Sequence, residues 1–81
     1  MVMYEVYVIY SRSLHRHYVG QTKDFGSRLG RHNSGKVPST KHGVPWEVLF
    51  TQKVTSRSEA VRLESKIKKR GAKRYLEELG M

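Results

Sequence analysis

Apolar and polar positions alternate in some stretches of the chain and recur every three to four residues in others. Residues 3–10 read MYEVYVIY. Aromatic and β-branched residues suit a pleated backbone, and a period of two sets Val6, Val8 and Tyr10 on one face and Tyr7 and Ile9 on the other. The nearly unbroken apolar run predicts a strand covered on both faces. Residues 11–16 are polar and turn-like, and residues 17–21 resume an extended pattern. The two segments predict a hairpin with a loop of about five or six residues. Centring that hairpin near residues 12 and 13 puts Tyr7 opposite Tyr18, on the same face of the sheet.

Asp24 is placed to cap a helix, because its carboxylate can accept from free backbone N–H groups. Phe25, Leu29 and His32 follow at helical spacing. Gly26 and Gly30 form a smooth stripe where a backbone or ligand could approach, and Asn33-Ser34-Gly35 predicts the stop. After a loop over 36–45, residues 46–54 (WEVLFTQKV) predict a third strand, with Trp46, Val48 and Phe50 on one side. Ser56-Arg57-Ser58-Glu59 fits a capping box. Ala60, Leu63 and Ile67 then make an apolar helical stripe that runs to about Arg70, where Gly71 ends it. A short last helix over 72–79 is expected to turn Tyr75, Leu76 and Leu79 inward. The order β-β-α-β-α-α predicts an α+β fold, a small three-stranded antiparallel sheet flanked by helices, as one domain over residues 1–81.

Composition adds the partner class. Sixteen Lys and Arg against seven Asp and Glu leave a formal charge of +9 on 81 residues. An excess of that size attracts polyanions, above all phosphate backbones. Cysteine is absent, which excludes disulfides and thiolate metal sites. No apolar run approaches the roughly 18 residues of a membrane span. The first residues lack the pattern of a secretion signal. The expectation is a soluble cytoplasmic protein that binds nucleic acid and no membrane.

The motifs narrow this further. A strand with VYVI, a hairpin, then HYVGQTKDFGSRLGRHNSG, a third strand, and a helix bearing RLESKIKK together resemble the GIY-YIG nuclease domain, a family named for two short strand motifs. The likeness is to its short, stand-alone bacterial members and spans about residues 3–79. The first triplet here reads Glu5-Val6-Tyr7 and the second Tyr18-Val19-Gly20, and no Asn follows the acidic helix position. The resemblance implies a metal-dependent endonuclease that hydrolyses phosphodiester bonds, with Mg²⁺ or Mn²⁺ as cofactor and DNA favoured over RNA.

It also implies roles for named residues. Tyr7 would activate the attacking water and Tyr18 would position it or the phosphate. Arg28, whose fork suits a phosphate, would neutralise charge, and Glu64 would hold the metal. Without the resemblance, the two tyrosines read as cross-strand packing residues. Glu64 then reads as a surface carboxylate paired with Lys68, worth about 0.2–0.5 kcal/mol, and Arg28 as part of a solvated face. His32 shares a helix face with Arg28. It is equally a proton acceptor near neutral pH and a half-buried ring that closes the apolar stripe. Gly20 is read as permitting a close approach to the site. Lys23, Arg31, Lys36, Lys41, Lys66, Lys69, Arg70 and Lys73 are candidate phosphate contacts, which position nucleic acid without reading sequence. With no specificity module in the chain, cleavage is expected to be structure-selective and suited to a DNA repair or recombination role, or to take its specificity from a protein partner. The altered first triplet and the missing Asn leave a second reading open: a catalytically weak nucleic-acid-binding protein that keeps the nuclease fold.

Overall fold

The first strand carries the fold, since both of its faces are apolar and both are covered. The computed structural model describes residues 3–81. Its elements are β1 (Tyr4–Ser11), β2 (Arg16–Thr22), α1 (Phe25–Asn33), β3 (Trp46–Val54), α2 (Arg57–Arg70) and α3 (Ala72–Glu78), with one 3₁₀ turn at Lys41–Gly43 before β3. The sheet order is β2-β1-β3, and both pairings are antiparallel. The α+β architecture and the order β-β-α-β-α-α are those read from the sequence. No helix among the described residues is long and apolar enough to cross a membrane.

One face of β1 offers Val6 and Val8. These pack with Val19, Val54 and the inward stripe of α2 and α3, namely Ala60, Ile67 and Leu76. The other face offers Tyr7 and Ile9, which pack with Trp46, Tyr18, and Phe25 and Leu29 of α1. Two small cores therefore sandwich the sheet, with α1 on one side and α2 and α3 on the other. The helix boundaries follow local chemistry. The Asp24 carboxylate accepts from the Ser27 backbone N–H at 3.2 Å, and Ser56 Oγ accepts from the Glu59 N–H at 3.2 Å. Gly71 closes α2 with φ 89°, a left-handed region where a side chain would strain the backbone. Gly26 and Gly30 are exposed, and no backbone lies against either.

Three sequence expectations change. The hairpin loop is four residues, Arg12 to His15, and β2 resumes at Arg16. Its register sets Tyr7 against Gly20 and Ile9 against Tyr18, so Tyr7 does not face Tyr18 directly. Second, a bulge in β3 falls between the pairs Val8–Phe50 and Ile9–Val48. The extra residue, Leu49, reverses the alternation. Trp46 joins the Tyr7 core while Phe50 packs with the Val6 core, so the two do not share a face. Third, Leu79 caps the C-terminus of α3 and is 50% exposed, whereas Tyr75 and Leu76 do turn inward.

Candidate active site at the edge of strand β2

The register places a glycine beside the Tyr7 ring. A Cβ on Gly20 would lie 2.5 Å from Tyr7 Oη and 2.7 Å from Cζ. The phenol therefore crosses β2 at the one residue of that strand that has no side chain. Tyr18 lies on the same face as a diagonal neighbour, because a register error of two residues preserves the side of the sheet. The two rings have centroids 6.4 Å apart and planes 28° apart.

His32 completes this cluster from α1. It is 1% exposed, with ring centroids 5.0 Å from Tyr18 and 5.9 Å from Tyr7. Its Nε2 is 3.0 Å from Tyr7 Oη and its Nδ1 is 2.9 Å from Thr40 Oγ1. Burial, and then the Arg28 and Arg31 charges, hold His32 below the usual imidazole range, so it is neutral at neutral pH. Burial, reinforced by Tyr18, pushes the Tyr7 phenol up to about 12, against a lowering by Arg28. Tyr7 is 1% exposed, so its proton must be donated inside the protein, and Nε2 is the atom placed to take it. The Nδ1–H then donates to Thr40 Oγ1. Thr40 is held in turn by Trp46, whose indole N–H donates to the Thr40 carbonyl at 2.8 Å. Asn33 fixes the start of β3 by accepting from the Trp46 N–H at 2.6 Å and donating to its carbonyl at 3.2 Å. Arg28 lies one helical turn before His32 and is partly exposed.

Glu64 comes from α2, on the opposite side of the sheet, and reaches the β2 edge. Its Oε1 accepts from Gln21 Nε2 at 3.1 Å and its Oε2 from Lys68 Nζ at 2.6 Å. The side chain is 19% exposed. Its charge acts on the Tyr7 phenol, where it contributes to the upward shift. Gln21 and Thr40 were not singled out in the sequence. Strand parity puts Gln21 on the α2 side with Val19, which was a usable signal; nothing in the loop sequence marks Thr40.

A divalent metal fits this arrangement through a single protein ligand. Among the described residues no three His, Cys, Asp or Glu side chains gather. A Mg²⁺-type site needs only one or two carboxylates, with waters and phosphate oxygens as the other ligands. Glu64 supplies a partly exposed carboxylate held by Gln21, with the exposed Lys68 paired to its second oxygen.

The candidate phosphate contacts are spread around the molecule. Lys23 lies over the Tyr4 ring at 5.6 Å, and Arg31, Lys36 and Lys41 are exposed on α1 and the loop after it. Lys66, Lys69 and Arg70 line a groove between α2 and α3 together with Tyr75. Helical geometry puts them across α2 from Glu64, and Arg70 is paired with Glu78. Lys73, on α3, lies near His17.

The small antiparallel sheet thus carries two tyrosines, an arginine and a histidine on one side and a carboxylate at its edge. A family model described as the GIY-YIG catalytic domain matches residues 3–76. The chain belongs to that family, which implies nuclease activity on DNA and typically a dependence on divalent metal. Among solved structures it is similar to the solution NMR structure of the UPF0213 protein BH0048 from Bacillus halodurans. That match has 30% identity and a TM-score of 0.58, and covers 95% of this chain and 84% of that one. No curated protein matches the chain significantly.

Proposed function

We propose that this protein is a metal-dependent endonuclease that hydrolyses DNA phosphodiester bonds with low sequence specificity, selecting structure rather than sequence, in a cytoplasmic repair or recombination role. The observation that carries the reading is the buried chain Tyr7 Oη–His32 Nε2, His32 Nδ1–Thr40 Oγ1. A phenol is a poor base near neutral pH. One that can hand its own proton to a neutral imidazole as it receives another is a competent one. The attacking water loses a proton to Tyr7 Oη while the Tyr7 proton passes to His32 Nε2. Thr40 keeps the Nδ1 proton directed and the ring oriented. Tyr18 positions the water or the phosphate, and Arg28 offsets charge on the phosphate oxygens. Glu64 would hold Mg²⁺ or Mn²⁺, which when bound supplies charge neutralisation at the phosphate and leaving oxygen. Specificity beyond structure would come from a protein partner.

The test is cleavage of plasmid and branched DNA with Mg²⁺ or Mn²⁺, with and without chelator, for wild type and Glu64→Ala. Metal-dependent nicking that disappears in the variant supports the reading. Equal trace activity in both marks contamination. Retained DNA binding with no cleavage by wild type leaves a binding module with a nuclease fold.

A further inference from the structure

The side chains assigned above leave unused a groove on the α3 side of the sheet. Tyr10 and His17 are a directly paired cross-strand couple near the hairpin end, with ring centroids 4.8 Å apart. Both are partly exposed. Three adjoining cavities meet at His17. One of about 330 Å³ is bounded by Tyr18 and Lys68, one of about 390 Å³ by Leu76 and Lys73, and one of about 610 Å³ by Tyr10, Leu49 and Lys73. The first touches the candidate active site, since Lys68 is the residue bonded to Glu64. The three cavities thus share His17, and the first is bounded by the lysine bonded to the candidate metal ligand Glu64.

Its chemistry is selective. The apolar and aromatic floor (Tyr10, His17, Leu49) suits a flat ring, and the cations Lys68 and Lys73 flank it at either end. Two acidic groups border it: Glu47, bonded to Arg12 at the Tyr10 end, and Glu77, beside Lys73 in the second cavity. Burial and the Lys73 charge lower the His17 pKa, so the imidazole offers a neutral face. Duplex DNA keeps its bases stacked inside and cannot use such a floor. A single strand can, because stacking on aromatic side chains combined with backbone cations is how sequence-tolerant single-strand sites work.

We propose that the Tyr10–His17 pair is a stacking subsite for an unpaired nucleotide next to the scissile phosphate, with Lys73 contacting its phosphate, so that single-stranded or flapped DNA is the preferred substrate class. The choice of DNA rests on the nuclease reading above, and the subsite supplies its structure selectivity. The experiment measures fluorescence anisotropy in EDTA, where no cleavage occurs. The probes are a labelled oligothymidylate of about 12 nucleotides and a hairpin duplex, tested with wild type, Tyr10→Leu, Tyr10→Phe and His17→Gln. The subsite predicts that Tyr10→Leu weakens single-strand binding about tenfold or more. Tyr10→Phe should retain it, and duplex binding should change by less than about twofold, within the effect of an ordinary surface substitution. His17→Gln gives the same readout if Tyr10→Leu does not fold. Unchanged single-strand affinity, or equal loss on both probes, overturns the subsite. Tyr10-dependent binding together with no metal-dependent cleavage by wild type would overturn the nuclease reading while leaving the subsite standing.

Discussion

Replacing Gly20 with alanine sets two effects against each other, and the geometry decides between them. Gly20 lies in β2 without a positive φ, where alanine is ordinarily favoured over glycine by about 0.5–1 kcal/mol. Here the new Cβ would sit 2.5 Å from Tyr7 Oη, 2.7 Å from Cζ and 3.2 Å from Tyr18 Cε1. Ordinary carbon contacts begin near about 3.5 Å, so the Tyr7 ring must shift by about 1 Å. It is 1% exposed and its hydroxyl is bonded to His32, so the shift breaks that bond. Overpacking costs about 1–3 kcal/mol, and the stranded Tyr7–His32 pair adds about 1–3 kcal/mol. Set against the alanine gain, the two costs leave a net loss of about 1–5 kcal/mol, a fall in Tm of at least about 4 °C for a domain of this size. At a temperature where the variant remains folded, single-turnover cleavage should drop about 100-fold, the scale expected for a 1 Å misplacement. Combining it with Tyr7→Phe removes the nearest atom but not Cζ, so stability should recover only in part. Thermal and urea unfolding followed by circular dichroism, with cleavage kinetics, checks this. A Gly20→Ala protein as stable and as active as wild type would refute the placement of the Tyr7 ring over Gly20.

Acidification should remove both activity and stability. His32 lies below its ordinary value, so the unfolded chain binds more protons in the window below about 6.5, and stability and log kcat should both rise with pH through that window and level off above it; a profile still rising past pH 8 would exclude His32 as acceptor. On the alkaline side, Tyr7 is raised from 10.0 to about 12. The stabilisation this carries is complete below pH 10 and is lost between 10 and 12, worth about 3 kcal/mol, and denaturant titrations of wild type and Tyr7→Phe across that range should diverge by that amount. Thr40→Val keeps the shape but strands the buried His32 Nδ1–H, so it should cost about 1–3 kcal/mol and lower kcat, with Thr40→Ser restoring both; an unaffected Thr40→Val would remove Thr40 from the relay. Ile67→Ala, at a fully buried position beneath the sheet, should cost about 2–5 kcal/mol in urea unfolding, with no change in the pH dependence of the folded enzyme.

Local chemistry made much of the fold legible. Asp24, Ser56 and Gly71 are short-range signals, read correctly because a cap is satisfied within three or four residues. The two-sided cover of β1 was visible in its unbroken apolar run. The hairpin register was not, because it depends on the turn. His15 adopts φ 52°, in a region that usually calls for glycine or asparagine, so Arg12 to His15 closes a tighter loop than the polar run suggested. The error of two residues kept Tyr7 and Tyr18 on one face but hid the pairing of Tyr7 with Gly20, which explains that glycine. The Leu49 bulge has no sequence mark and moved Phe50 to the other core. Among the site residues, the placement of His32 under Tyr7 was open on sequence grounds, since helical spacing alone could not separate a packing ring from a bonded one. Gln21 carried a usable strand-parity signal, but its partner Glu64 lies far along the chain, and nothing in the loop sequence marks Thr40 as the partner of His32.

The central claim is that the Tyr7 phenol, backed by His32, transfers the proton of the attacking water. The most direct measurement is single-turnover cleavage of one flapped DNA substrate at saturating Mg²⁺ by wild type and Tyr7→Phe, with both shown to be folded and to bind the substrate equally. The account predicts a loss of about 100-fold or more in the cleavage step for Tyr7→Phe, with affinity unchanged. Cleavage by Tyr7→Phe within about twofold of wild type would contradict it, because general acid–base catalysis of this kind contributes at least about 100-fold.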